Sequence, residues 1–113
     1  VTVDASRHLV LVGLMGVGKS TVGPRLAAAT GRSFIDLDDE VAQRCAMSVG
    51  ELITAHGEPY FRRAEADALA DVLARREPVV LATGGGAVAN DASRRLLIDG
   101  PVVVWLTAPV DTL

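Results

Sequence analysis

Gly13-Leu14-Met15-Gly16-Val17-Gly18-Lys19-Ser20-Thr21 decides how the rest of the chain is read. The stretch fits G-x-x-x-x-G-K-[ST], a loop that cradles polyphosphate. Leu9-Val10-Leu11-Val12 just before it is a short apolar, β-prone run. Val22, Leu26 and Ala29 just after it fall at helical spacing. A loop between a buried strand and a helix start is what phosphate binding requires. Glycines let backbone approach the ligand closely, successive N–H groups form an anion-binding concavity, and the helix turns its positive dipole end on the same phosphates. Lys19 adds a point charge for the terminal phosphates, and Ser20 offers a hydroxyl to a Mg²⁺ that keeps several of its waters.

The bulk composition narrows the class. The chain has 113 residues, half of them apolar and only 4% aromatic, so one domain, residues 1–113, with an aliphatic core is expected. A net charge of −3 gives no electrostatic ground for a nucleic-acid or membrane-surface partner. No apolar run reaches the roughly 18–20 residues of a membrane span, and no basic-then-apolar leader opens the chain. Cys45 is the only cysteine, which excludes an internal disulfide. These features predict a cytoplasmic protein.

Working outward, the pattern alternates strand and helix. The strands expected are Leu9 to Val12, Ser33 to Asp36, Val79 to Ala82 and Val102 to Leu106. The last is a continuous apolar run that suits burial on both faces. Helices are expected from Lys19 to Thr30, closed by Gly31, from Asp38 to Cys45, and after the capping pattern Ser48-Val49-Gly50-Glu51. A further helix is expected from about Pro59 with Phe61, Ala64, Ala68, Leu69, Val72 and Leu73 on one face. Asn90 or Asp91 caps another, and Thr107 to Leu113 reads as a helix start. This alternation predicts a doubly wound parallel α/β sheet, whose right-handed crossovers bring all strand C-terminal ends to one edge, where ligands bind.

Three features fall on that edge. Asp36-Leu37-Asp38-Asp39 ends the second strand, and positions i and i+2 of a strand share a face, so Asp36 and Asp38 are expected in one cleft. An acidic turn capping the next helix is the plainer alternative. In Gly57-Glu58-Pro59-Tyr60-Phe61-Arg62-Arg63-Ala64-Glu65, Arg62 and Glu65 are three apart and can pair. That pairing would hold the guanidinium ready for a carboxylate, or would be an ordinary surface ion pair. Gly84-Gly85-Gly86 exposes backbone N–H groups beside a ligand. His8 and His56 are expected to be structural or solvated, Cys45 inert and Trp105 a core residue.

The conjunction of G-L-M-G-V-G-K-S-T, F-I-D-L-D, G-E-P-Y-F-R-R-A-E and G-G-G-A-V resembles shikimate kinase across nearly the whole chain. The resemblance implies the fold of the nucleoside monophosphate kinases, with a parallel sheet in the order 2-3-1-4 and a fifth strand missing here. It implies transfer of phosphate from Mg-ATP to the 3-hydroxyl of shikimate. Gly16, Val17, Gly18, Lys19, Ser20 and Thr21 would bind ATP, with Lys19 and Asp38 catalytic. Ser20 would ligate Mg²⁺ directly and Asp36 through water. Asp38, Arg62, Gly84, Gly85 and Gly86 would bind shikimate, and Glu65 would hold Arg62. Another kinase of the fold, such as a gluconate kinase, and a non-catalytic nucleotide-binding fragment are the alternatives.

Two departures from the family pattern stand out. Ala46 falls where the family usually has glycine. The family's lid arginine, second carboxylate-binding arginine and adenine loop are not matched, so the chain reads as the amino-terminal two-thirds of the enzyme. A monomer is expected of the full-length enzyme. The 113-residue form is expected to bind nucleotide phosphates weakly, transfer little phosphate and tend to associate through its last strand.

Overall fold

The computed structural model describes residues 6–13, 19–98 and 100–105. Four strands, β1 (Leu9–Gly13), β2 (Ser33–Asp36), β3 (Val79–Gly84) and β4 (Val102–Trp105), form one parallel sheet in the order β2-β3-β1-β4. Six helices join them: α1 (Lys19–Thr30), α2 (Leu37–Cys45), α3 (Val49–His56), α4 (Glu58–Leu73), α5 (Gly85–Ala89) and α6 (Asp91–Ile98). The expected topology and the ranges of α1 and β2 hold. β3 runs two residues further than Ala82, and the triple glycine forms the junction of β3 with α5 instead of a loop. Residues 106–113, with the helix start expected there, lie outside the described residues.

Strand alternation divides the core between two faces. Val10, Val12, Val79 and Leu81 pack with Leu37, Val41, Leu52, Phe61, Leu69 and Val72 on the face covered by α2, α3 and α4. Leu9, Leu11 and Val80 pack with Ala27 on the α1 face. α1 turns a different side to the sheet than the expected one. Gly23 and Ala27 are buried, whereas Val22 is 39% exposed and Ala29 is exposed. The reason is close seating: a Cβ at Gly23 would overlap the Phe34 ring, so the smallest residues face the sheet and the larger Val22 points out.

β4 also differs from expectation. Val102, Val103 and Val104 are each half-buried, because β4 is the edge strand and no described strand lies beyond it. At the other end of the sheet, His8 is a structural residue as expected. Its Nδ1 accepts from the Val79 N–H at 3.0 Å, and its Nε2 lies 3.0 Å from the Arg75 carbonyl. One neutral ring with the proton on Nε2 satisfies both, tying the entry of β1 to the entry of β3.

The helix caps follow the sequence. Asp36 Oδ1 accepts from the N–H groups of Asp38 and Asp39 at the start of α2. Ser48 Oγ accepts from Glu51 N–H at 3.1 Å, and Asn90 Oδ1 accepts from Ala92 and Ser93 N–H. Ala46, in the stretch where glycine was anticipated, closes α2 with φ 55° and ψ 34°. It is the one described non-glycine residue with positive φ. A Cβ in this region costs about 1–2 kcal/mol.

Ala46→Gly should therefore stabilise the chain, by about 0.5–1 kcal/mol after the greater freedom of the unfolded glycine is deducted. Urea denaturation should show a higher midpoint at an unchanged slope. A lower midpoint would mean that the methyl group contributes packing that outweighs the strain.

Candidate active site

The C-terminal edge of the sheet gathers the residues singled out by sequence. Gly13, the last residue of β1, is in register with Gly84 of β3. The opening of the phosphate-loop pattern and the triple glycine are therefore neighbours across two hydrogen-bonded strands. Lys19 and Ser20 open α1, and Thr21 is exposed in its first turn. Gly16, Val17 and Gly18 lie outside the described residues.

On the α4 side of this edge, Arg62 is fixed by three contacts. Its Nη1 donates to Glu65 Oε1 at 3.0 Å, and its Nη2 is 3.5 Å from Glu58 Oε1. The guanidinium also packs on Gly86: a Cβ there would stand 2.5 Å and 2.6 Å from the two terminal nitrogens. The pair is not the surface ion pair that spacing alone allowed, because the Glu65 side chain is only 3% exposed and that of Arg62 27%. The Glu58 contact was legible as an i,i+4 pair but was missed. The seat on Gly86 was not legible, since it joins positions 24 residues apart in sequence.

Glu65 sits in opposing fields. Burial pushes its carboxyl above the ordinary glutamate range, the hydrogen bond and charge of Arg62 pull it back, and the charge of Asp38 pushes it up again. That coupling brings Asp38 into the electrostatic range of the pair. Asp38 gets there by a different route from the one expected. α2 begins at Leu37, so Asp38 lies on a first helical turn and not on a strand, and it does not share a strand face with Asp36. Asp36 does act as the cap of α2. The helix begins early because Asp36 supplies the N-cap and three acidic residues follow in the first turn, where they suit the dipole.

A groove of about 580 Å³ opens beside this cluster, lined by Glu58, Arg62, Arg63, Asp67 and Asn90 among others. It shares only Arg62 with the residues at the sheet edge. Its charges are mixed in sign, and the Asn90 side-chain oxygen is engaged as a helix cap, so the convergent polar chemistry lies at the edge and not in the groove. Among the described residues no group of three or more His, Cys, Asp or Glu is arranged to hold a metal ion.

A phosphate-loop pattern between β1 and α1, at the ligand-binding edge of a 2-3-1-4 parallel sheet, defines the class as a P-loop kinase fold. Comparison with known proteins narrows the class. A family model described as shikimate kinase matches residues 15–113, and the chain belongs to the shikimate kinase family. It is 45% identical over 109 residues to the shikimate kinase of Nitrobacter winogradskyi, covering 96% of this chain and 50% of the relative. It is 48% identical over 103 residues to that of Bordetella avium, covering 91% and 49%. The solved shikimate kinase from Acinetobacter baumannii in complex with shikimate superposes with a TM-score of 0.86 at 38% identity, covering 93% of this chain and 58% of that one. A gluconokinase from Sinorhizobium meliloti 1021, with TM-score 0.68 at 24% identity, shares the fold alone. The chain spans about half the length of the curated relatives it matches.

The raised Glu65 pKa has a consequence for stability. A carboxyl that holds its proton to higher pH when folded stabilises the fold below its unfolded value and loses that contribution as pH rises through the folded value. Wild-type stability relative to Glu65→Gln, which keeps an oxygen for Arg62, should thus fall as pH rises from the ordinary value of 4.5 toward neutrality. Urea titrations of both proteins across that range measure it. A pH-independent difference would show that Arg62 cancels the effect of burial.

Proposed function

We propose that this chain carries the nucleotide and acceptor sites of an enzyme that transfers the γ-phosphoryl group of ATP to the 3-hydroxyl of shikimate. The observation that carries this reading is the seating of Arg62 between buried Glu65 and Gly86, at the sheet edge where β1 runs into the phosphate-loop pattern. A guanidinium held in one orientation is prepared for the two parallel hydrogen bonds of a carboxylate. Its partial exposure leaves it accessible to a ligand.

In this reading Gly16, Val17, Gly18, Lys19, Ser20 and Thr21 hold ATP, and Lys19 neutralises charge that develops on the transferred group. Asp38 accepts a hydrogen bond from the acceptor hydroxyl and orients it, while Arg62 takes the acceptor carboxylate. Gly84, Gly85 and Gly86 keep that side of the site free of side chains, and Gly85 offers a backbone N–H. The donors available for Mg²⁺ are hard oxygens, the Ser20 hydroxyl and the Asp36 carboxylate. Mg²⁺ characteristically takes one or two protein oxygens and completes its shell with phosphate and water. When bound, the ion would neutralise phosphate charge. In this reading Asp36, which caps α2 through its Oδ1, would meet the ion through water.

Lys19→Ala should weaken binding of an ATP analogue and abolish transfer without unfolding the domain. Arg62→Lys and Asp38→Asn should instead damage use of shikimate, because lysine lacks the planar fork and asparagine lacks the charge. Calorimetric titration with each ligand, with coupled-assay kinetics in a full-length form, separates the two groups. A shift in the ATP constant with no shift in the shikimate constant for Arg62→Lys would reverse the assignment.

Gly86→Ala tests the seat of Arg62 directly. The added methyl group meets only the flexible end of a side chain, so the fold should tolerate it while the guanidinium is displaced. Shikimate affinity should drop roughly tenfold or more, as expected for lost charged hydrogen bonds, with little change in melting temperature. Unaltered shikimate binding would remove Arg62 from the site.

A further inference from the structure

Thr83, the penultimate residue of β3, is 3% exposed, and its Oγ1 is buried without a hydrogen-bond partner among the described residues. A buried hydroxyl that makes no hydrogen bond is costly, and valine has the same shape without that cost. The residue is therefore better matched to a state in which a ligand supplies the missing partner. Ser93 Oγ is also buried and unpartnered, but it lies in α6, whereas Thr83 lies at the ligand-binding edge of the sheet.

Strand register says which half of the edge this hydroxyl serves. Thr83 is in register with Val12 and lies on the face of Val79 and Leu81, which pack toward α2, α3 and α4 with Val12, Leu37 and Phe61. Asp36 is in register with Ala82 and follows Phe34, which packs on the α1 face, so it belongs to the opposite side of the sheet. The edge thus has two halves. The α1 half holds Asp36. The α4 half holds Arg62, Glu65 and Thr83.

We infer that the Thr83 hydroxyl hydrogen-bonds the acceptor, a polyhydroxylated carboxylic acid, and positions it beside Arg62. The inference rests on the proposed function and extends it to a residue outside the glycine and Asp–Arg set.

Thr83→Val and Thr83→Ser are titrated by calorimetry with shikimate and, separately, with an ATP analogue, and each ligand-free protein is melted. Thr83→Val should bind shikimate roughly three- to tenfold more weakly, the loss of one neutral hydrogen bond. Its affinity for the ATP analogue should be unchanged, and its ligand-free melting temperature should be equal to or above that of wild type. Thr83→Ser should restore shikimate affinity. Equal shikimate affinity in wild type and Thr83→Val overturns the inference and leaves the proposed function standing. So does a loss confined to the ATP analogue, or a lowered ligand-free melting temperature with both affinities retained. Wild type that binds the ATP analogue but not shikimate overturns both.

Discussion

β1 is hydrogen-bonded on both sides, to β3 and to β4, and its five residues are all buried. A strand in that position cannot shift along its neighbours without moving Val10 and Val12 off one face of the core and Leu9 and Leu11 off the other. Its C-terminal end is therefore held in register at the sheet edge. The phosphate-loop pattern leaves from that point, and the triple glycine begins in register beside it. The candidate site residues that the structure describes are positioned relative to this strand.

The second constraint is the buried carboxylate of Glu65. An isolated carboxylate would not remain charged where it stands, and Arg62 compensates it at 3.0 Å. The compensation works in both directions: Glu65 needs the guanidinium for charge balance, and the guanidinium gains one fixed orientation from Glu65 and Gly86. Long side chains lose much rotamer freedom on ordering. Here that loss is taken during folding and not when a ligand arrives, which is how a preorganised site gains affinity. The buried side of α4 thus links core to sheet edge through one turn of helix, from Phe61 in the core to Arg62 at the edge and back to Glu65 beneath it.

Local patterns were legible where a local cause fixes the structure. The ranges of α1 and β2, the capping roles of Ser48 and Asn90, and the left-handed turn at Gly31 follow from propensity and side-chain-to-backbone bonds within a few residues. The family was legible because four motifs occur in order. Readings failed where a tertiary neighbour decides the outcome. α1 buries Gly23 and Ala27 instead of Val22 and Ala29 because the Phe34 ring occupies the space beneath it. The apolar run of β4 suggested burial on both faces, but its valines are half-buried, at the edge that the order 2-3-1-4 without a fifth strand implied. Asp38 shares no strand face with Asp36 for a local reason: the cap at Asp36 starts α2 at Leu37, and Asp38 lies in the first helical turn.

By itself the sequence determined the class of fold, the order of its elements and the residue types at the sheet edge. Those depend on hydrophobic period, on turn chemistry, and on a glycine-rich motif whose spacing matches polyphosphate. Only the tertiary structure decided which of these residues meet. It seated Arg62 on Gly86, buried Glu65 beneath it, brought the charge of Asp38 to bear on the pair, and placed Thr83 and Asp36 on opposite faces of the sheet. These relations arise from strand register and helix packing between segments far apart in the chain, and no local pattern of residues encodes the distance between them.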